Sequence, residues 1–334
     1  MTSAVLYDQA NDLWARFEES GQPKELEEAI LLHRQVLELR PGFHPGRSVS
    51  LNTLVHFLWT RFSLSGRHED VEEAISLSRE ALQLRPASHP DRPKSLNNLA
   101  LSLRARFEKS GQPEDLKEAI LLNREALELR PGTHPDRLKP LHNLALCLRT
   151  QFKQTVRHED LDEAILLDRE ALDLLQESHP DRAMLLDSLS VALGIRFTLS
   201  GQHCDLEEAI SFCRKTLVLR PDQPMILHNL AFSLWQRFKE WGEPDDLEEA
   251  ILLHREALKL LHESHPERPT FLKNLALSLW TQFEQSARHE DLEESILLYQ
   301  QTLELQPGYH PERYTTLHDL AICLRIQLDR KSVV

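Results

Sequence analysis

Leu96-Asn97-Asn98-Leu99-Ala100 and, twenty residues further on, Leu116-Lys117-Glu118-Ala119-Ile120 decide the fold, because both phrases return along the chain. The second phrase starts at Leu26, Val71, Leu116, Leu161, Leu206, Leu247 and Leu292, at spacings of 45, 45, 45, 45, 41 and 45 residues, with Ser295 replacing alanine in the last copy. The first phrase returns at Leu51, Leu96, Leu141, Leu186, Leu227, Leu272 and Leu317, with a looser copy at Leu6. Leu96, Leu99, Ala100, Leu103 and Phe107 fall on one helical face, as do Leu116, Ala119, Ile120, Ala126 and Leu127, the stripe of an amphipathic helix. Each repeat is therefore predicted to contain two helices, A and B, and a fixed period of this length signals a repeat architecture.

The residues at the predicted helix ends have mechanical reasons to be there. Ser110-Gly111 closes helix A, where glycine takes the left-handed conformation that stops a helix. Pro113 opens helix B, Glu114 and Asp115 occupy the first turn where unpaired amides favour negative charge, and Pro131-Gly132 closes it. His134-Pro135-Asp136-Arg137 follows, extended at the residue before proline. Asp91 and Asp136 are expected as N-caps, and Pro93, Pro224 and Pro269 sit where a helix start tolerates a missing N–H.

Composition agrees with helices. The 334 residues include only 10 glycines, 6 % aromatics and 28 % charged residues, and 41 % hydrophobic residues suffice for a core. The formal charge is −14, from 39 Lys+Arg against 53 Asp+Glu, with no basic run, so no field attracts a phosphate backbone and no nucleic-acid partner is expected. The apolar stretches read as shorter than the roughly 20 residues that span a bilayer, and Met1-Thr2-Ser3 leads into a polar segment, unlike a signal peptide. Cys147, Cys204, Cys213 and Cys323 lack CxxC spacing and there is no Asn-x-Ser/Thr acceptor, which fits a reducing compartment. A soluble cytoplasmic protein with no membrane contact is expected.

The helix B pattern resembles the tetratricopeptide repeat, which carries alanine, alanine seven later and proline five after that. Ala119, Ala126 and Pro131 match, as do Ala74, Ala81 and Pro86. Ala29/Val36/Pro41, Ala209/Thr216/Pro221 and Ser295/Thr302/Pro307 match with substitutions, while Gln176 and His262 replace the proline in copies four and six. Against the standard period of about 34 residues, the extra length falls into about two further turns of helix A and the His-Pro-Asp-Arg connection. The 41-residue spacing lacks that connection between Pro221 and Leu227, a junction expected to bend the array locally. Within the family, the Asn97-Asn98 phrase after His-Pro-Asp resembles the long repeats of kinesin light chains, and the long helix with Arg-Phe and Ser-Gly resembles arrays of fungal proteins that end in a CHAT caspase-like domain.

The resemblance implies an all-α fold, a right-handed α-solenoid of helical hairpins whose A helices line a concave peptide-binding groove. The expected organisation is a single array over 1–334, with hairpins at 1–45, 46–90, 91–135, 136–180, 181–222, 223–267 and 268–312 and a solubilising capping helix and tail over 313–334. In the family the groove is read at positions corresponding to Lys94, Asn97, Asn98, Leu101, Arg104 and Ala105. The Asn98 position returns as Asn143, Asn229 and Asn274, with Asp8, Thr53, Ser188 and Asp319 elsewhere. A side-chain amide offers donor and acceptor together, which suits an extended peptide; the alternative is that these amides bond to the neighbouring helix or face water. Leu101, Leu146, Val191, Phe232, Leu277 and Ile322 would form an apolar floor, or be buried between hairpins. A carboxylate clamp is not expected, because Leu101 stands where the second amide would be.

Trp14, Trp59, Trp235 and Trp280 share one helix A position, with Arg104, Arg149, Arg325 and Gly194 in other copies. Such residues anchor partners in binding hot spots or fill the helix extension. His44, His89, His134, His179, His265 and His310 each start a His-Pro connection; one per hairpin, about 10 Å or more apart, they cannot converge on an ion as metal sites require, so turn formation and capping is their expected role. His262-Glu263-Ser264-His265 is the one local pair. Arg34, Arg79, Arg124, Arg169, Arg214 and Arg255 repeat on helix B near acids of the same helix, where a solvated or salt-bridged face is expected. Cys204 beside His203 stands near a helix start, which can activate a thiol, but no Gly-rich turn or phosphate-cradling motif accompanies it. No catalytic residue, metal or cofactor is therefore expected. Lys331-Ser332-Val333-Val334 resembles a PDZ-ligand tail or a frayed end.

Three functions follow: a non-catalytic scaffold binding a partner peptide or helix along the A helices, the regulatory arm of a larger CHAT-type protease protein, or a self-assembling array whose sticky end is the first helix at 3–19. A monomer is expected under the first, with end-to-end association the mark of the third.

Overall fold

The computed structural model describes residues 2–331, with the side chains of 330 and 331 excepted. The Lys331-Ser332-Val333-Val334 tail reading falls outside the described residues. Contacts divide the chain into two compact units, Met1–Gln176 and Glu177–Val334. In the first, α1 (Ser3–Ser20) packs with α2 (Pro23–Leu39), α3 (Arg47–Ser65) with α4 (His68–Gln83), α5 (Arg92–Ser110) with α6 (Pro113–Glu128), and α7 (Leu138–Thr155) with α8 (His158–Asp173). In the second, α9 (Arg182–Ser200) packs with α10 (His203–Leu219), α11 (Pro224–Trp241) with α12 (Pro244–Leu260), and α13 (Arg268–Ser286) with α14 (His289–Leu305), followed by α15 (Arg313–Lys331). The only other regular element among the described residues is a 3-10 turn, Pro135–Arg137.

Every hairpin is cored by the two phrases. Leu99, Ala100, Leu103 and Phe107 of α5 meet Leu116, Ala119 and Ile120 of α6 in one cluster, to which α4 and α7 contribute Val71, Ile75, Leu144 and Leu148. A hairpin thus completes its core with its neighbours, as repeat proteins do. Helix A ends where the sequence places the stop, at Gly111 with φ 67° and its N–H on the Phe107 carbonyl. Helix B ends earlier than expected, through Leu129, and Gly132 lies in the turn beyond. In two copies the left-handed position is taken by Val156 (φ 53°) and Ala287 (φ 57°).

The His-Pro connection has a mechanism of its own. The imidazole Nδ1 accepts the backbone N–H two residues on, from Gly46 to His44, Asp91 to His89 and Asp136 to His134, at 3.0–3.1 Å. The expected aspartate N-caps are corrected accordingly: Asp91 makes no side-chain capping bond, and Asp136 lies within the 3-10 turn. The arginine that ends the connection reaches back. Arg92 Nη1 donates to the carbonyls of Leu82 and Arg85, and Arg137 Nη1 to those of Leu127 and Arg130, so the exposed carbonyl end of one helix B is sealed by the first turn of the next helix A.

One further expectation changes. α9 is long and apolar enough by length and composition to cross a membrane, although half of it is buried within the structure. On α15, Tyr314, Leu317 and Leu328 are exposed.

Candidate peptide-binding surface

The A helices of each unit carry the residues expected to read a ligand. In the first unit Asn98 donates its amide to Asn52 Oδ1 at 2.9 Å, and Asn143 donates to Asn97 Oδ1 at 2.7 Å. In the second unit Asn229 donates to Asp187 Oδ1 at 3.3 Å, and the Asn274 amide lies 3.1 Å from His228 Nε2. Each bond runs from one helix A to the position equivalent to Asn97 in the helix A before it. One amide contact of each asparagine is thus made between neighbouring hairpins, the alternative weighed above, and each amide has a further N–H and a carbonyl oxygen beyond it.

This ladder extends inward. Asn52 also donates to the Ser48 carbonyl and Ser95 Oγ, and Arg85, 2 % exposed, donates to Ser95 Oγ and the Asp91 carbonyl. Burial pushes the Arg85 pKa down, partly opposed by Asp91. Both indoles with a hydrogen bond also reach the next helix A: Trp59 Nε1 to Ser102 Oγ at 3.1 Å and Trp235 Nε1 to Thr281 Oγ1 at 3.0 Å. Trp280 packs on Phe283 with ring centres 5.6 Å apart. The tryptophans fill the space between adjacent A helices while keeping part of each ring at the surface.

What stays accessible beside the ladder is apolar. Leu101 and Leu146 in the first unit and Phe232 and Leu277 in the second are half-buried, and Phe232 stacks on Trp235 at 5.6 Å. In the first unit this strip is flanked by exposed Lys94, Lys139 and His56. Burial and then the charges of Lys139 and Lys94 lower the His56 pKa, with Glu18 opposing. Lys94 and Lys139 therefore share one surface with Glu18 and with His56, whose imidazole is favoured in its neutral form.

Helix B carries ion pairs that join hairpins. Arg34 pairs with Glu73, Arg79 with Glu118 and Arg124 with Glu163, each 39 residues away on the next helix B, and Arg214 with Glu249 and Arg255 with Glu294 in the second unit. These partners are set by stacking and are not the acids of the same helix. Inside hairpins, bidentate pairs that the sequence reading missed join the end of helix A to the start of helix B, Arg61 to Asp70, Arg106 to Asp115, Arg196 to Asp205 and Arg237 to Asp246. The constant nine-residue separation was the available signal.

Three of the four cysteines are buried. Burial pushes the thiols of Cys147 and Cys213 up to about 12 and that of Cys323 to about 11, which suppresses the thiolate. Cys204 is exposed. Among the described residues no three His, Cys, Asp or Glu side chains are placed to hold a metal ion, and His262 Nδ1 lies 2.8 Å from Ser264 Oγ.

No protein-family model matches the chain, and no curated protein matches it. Solved structures do. The Pseudomonas aeruginosa protein PilF matches 81 % of this chain and 99 % of its own at 18 % identity, with a TM-score of 0.53. The C-terminal part of a TPR repeat-containing protein from Cytophaga hutchinsonii matches 93 % of this chain and 99 % of its own at 12 % identity, TM-score 0.51. A monomeric IFIT1 mutant with m7Gppp-AAAA matches 98 % of this chain and 64 % of its own at 16 % identity, TM-score 0.56. At such identities the likeness speaks for the fold alone: this chain is an all-α helical-hairpin solenoid with the fold of tetratricopeptide-repeat proteins.

Proposed function

We propose that the chain is a non-catalytic protein-protein interaction scaffold that holds a peptide or helix of a partner along its A helices. The observation that carries this reading is the strip of the first unit where half-buried Leu101 and Leu146 run beside Lys94, Lys139 and His56. In a protein of net charge −14, two lysines beside an apolar strip favour a ligand with apolar anchors and acidic residues, because complementary potentials select the partner. In the second unit Phe232, Leu277, Trp235 and Trp280 supply a broader apolar floor. The asparagines support the surface by holding adjacent A helices in register.

Selection from a displayed random-peptide library tests this. Enriched peptides are expected to pair apolar anchors with acidic residues, and Leu101→Glu/Leu146→Glu to weaken them at least tenfold. A library without enrichment, or binding indifferent to that double substitution, would overturn the reading. The long A helices and His-Pro connections favour a second reading, the kinesin-light-chain-like subtype of CHAT-linked arrays, in which the same surface holds the protein's own protease domain. A gene model encoding a His/Cys-bearing domain in frame with this chain supports it; a transcript without one removes it.

A further inference from the structure

On the outer side of the first unit's B helices, two leucines stand where the fold does not need them. Leu121 of α6 and Leu166 of α8 occupy the same repeat position and are 65 % and 67 % exposed. The equivalent residue is Ser76 in α4 and Ser211 in α10, so a hairpin closes equally well with a hydroxyl there. The two helices are neighbours, joined by Arg124 of α6 and Glu163 of α8 at 2.9 Å. One exposed leucine is ordinary on a protein surface; two at one repeat position on adjacent helices form a patch.

Acids fence this patch in a regular pattern. Glu114, Leu121 and Glu128 follow at steps of seven along α6, as Glu159, Leu166 and Asp173 do along α8. Each trio is one stripe of its helix, and all six residues are exposed. Glu128 and Asp173 end their helices, whose last turns hold no basic residue. A negative charge at that end meets unpaired carbonyls and is disfavoured by the helix itself. Among the described residues none of the four acids has an ion-pair partner. The other B helices break the pattern or lack a matching neighbour: α4 has Glu69, Ser76 and Gln83, and α12 has Asp245, Leu252 and Lys259. Adjacent acid-leucine-acid stripes thus occur at α6 and α8 alone among the described residues.

We propose that this face of α6 and α8 docks a basic amphipathic helix of a partner protein, laid across the two helices. Charge complementarity selects the occupant: four unpaired acids surround the leucines, and the net charge of −14 steers cations toward the chain. Spacing selects its form. Along each stripe an acid lies about 10 Å to either side of the leucine, seven residues at about 1.5 Å each, and neighbouring helix axes lie about 10 Å apart. A crossing helix presents its residues i and i+7 at that same distance, so one apolar residue meets each leucine while lysines or arginines on both flanks reach the acids. The A-helix strip beside Lys94 and Lys139 selects the opposite charge, so this site is separate and does not rest on the reading given for that strip.

The test uses the full chain and a fluorescein-labelled alanine-lysine peptide of about 20 residues, long enough to be helical in water, carrying two leucines seven apart. Titration at about 0.15 M salt, where surface charges are screened beyond about 8 Å, should give saturable one-to-one binding in the tens of micromolar. Leu121→Ser/Leu166→Ser should weaken it at least fivefold with the fold kept, as circular dichroism would verify, because serine already fills this position in α4 and α10. Glu128→Lys/Asp173→Lys should weaken it by a similar factor, whereas Leu252→Ser/Leu297→Ser in the second unit should change it less than twofold. Absence of saturable binding at hundreds of micromolar overturns the proposal. Binding indifferent to Leu121→Ser/Leu166→Ser overturns it as well, since diffuse attraction to the net charge would then account for the signal, and so does an equal loss in the second-unit variant. Self-association in sedimentation that Leu121→Ser/Leu166→Ser dissolves would assign the face to a second copy and also overturn it.

Discussion

Arg106 joins helix A to helix B through a bidentate contact on Asp115, whose side chain is 6 % exposed, and also reaches Glu72 of the preceding helix B. Its pKa is raised mainly by the Asp115 hydrogen bonds. Truncation leaves a buried carboxylate without its partner, so Arg106→Ala should cost about 1.5–3 kcal/mol in denaturant unfolding, the range for hydrogen bonds to charged groups. The last hairpin offers the converse. Gln282 stands where the arginine would be, Asp291 Oδ2 has no partner, and burial raises the Asp291 pKa against the opposing charge of Arg288. A raised carboxylate pKa means the folded state binds more protons than the unfolded one above the ordinary value near 3.8, so this group subtracts stability as pH rises through that range. Gln282→Arg should therefore raise the unfolding midpoint at pH 7.

Buried histidines act in the opposite direction. His33 and His254 have both ring nitrogens unpartnered, and His228 has Nδ1 unpartnered. Burial lowers His33 and His228 to about 4 and His254 well below its ordinary value, with Arg40 adding to the first and His228 to the last. Depressed in the folded state, His33 and His228 give stability that is complete above the unfolded value of 6.5 and lost as pH falls through about 4, about 3 kcal/mol each. His254 acts in the same direction. Urea midpoints should fall between pH 7 and pH 5, and His254→Leu should shallow that slope; an unchanged slope would count against a neutral buried His254.

At the scale of the element, Val156 ends α7 in the left-handed region that glycine fills in five other A helices. A β-branched residue is strained there by roughly 1–2 kcal/mol, so Val156→Gly should stabilise the chain by about 1 kcal/mol after glycine's greater unfolded-state entropy is subtracted. The helices, the stops of the A helices and the starts of the B helices were legible in the sequence because each is fixed by its own residues: Gly111 stops α5 and Pro113 opens α6. Helix B partners such as Arg34 and Glu73 were not, because 39 residues separate them and only the stacking of hairpins sets that register. The sealing role of Arg92 and Arg137 was within reach, since an arginine follows each His-Pro at a constant distance, but its targets are backbone carbonyls that no side-chain pattern announces.

At the scale of the molecule, hairpins are joined by three repeated devices: the shared apolar core, the helix B ion pairs and the asparagine ladder. The exposed ion pairs contribute little, about 0–1 kcal/mol each, whereas the ladder lies partly buried, where an unpaired polar group costs about 1–3 kcal/mol. The asparagines therefore belong to the frame, and the proposed ligand to the strip beside them. The direct test is thermal unfolding measured together with affinity for a selected peptide on Asn98→Ala/Asn143→Ala. We expect a loss of about 1–3 kcal/mol, read as a melting temperature lower by several degrees, with affinity per folded molecule within about threefold of the parent. Unchanged melting with affinity reduced ten- to a hundredfold, the outcome if about 0.5–1.5 kcal/mol per hydrogen bond were spent on the peptide, would contradict it.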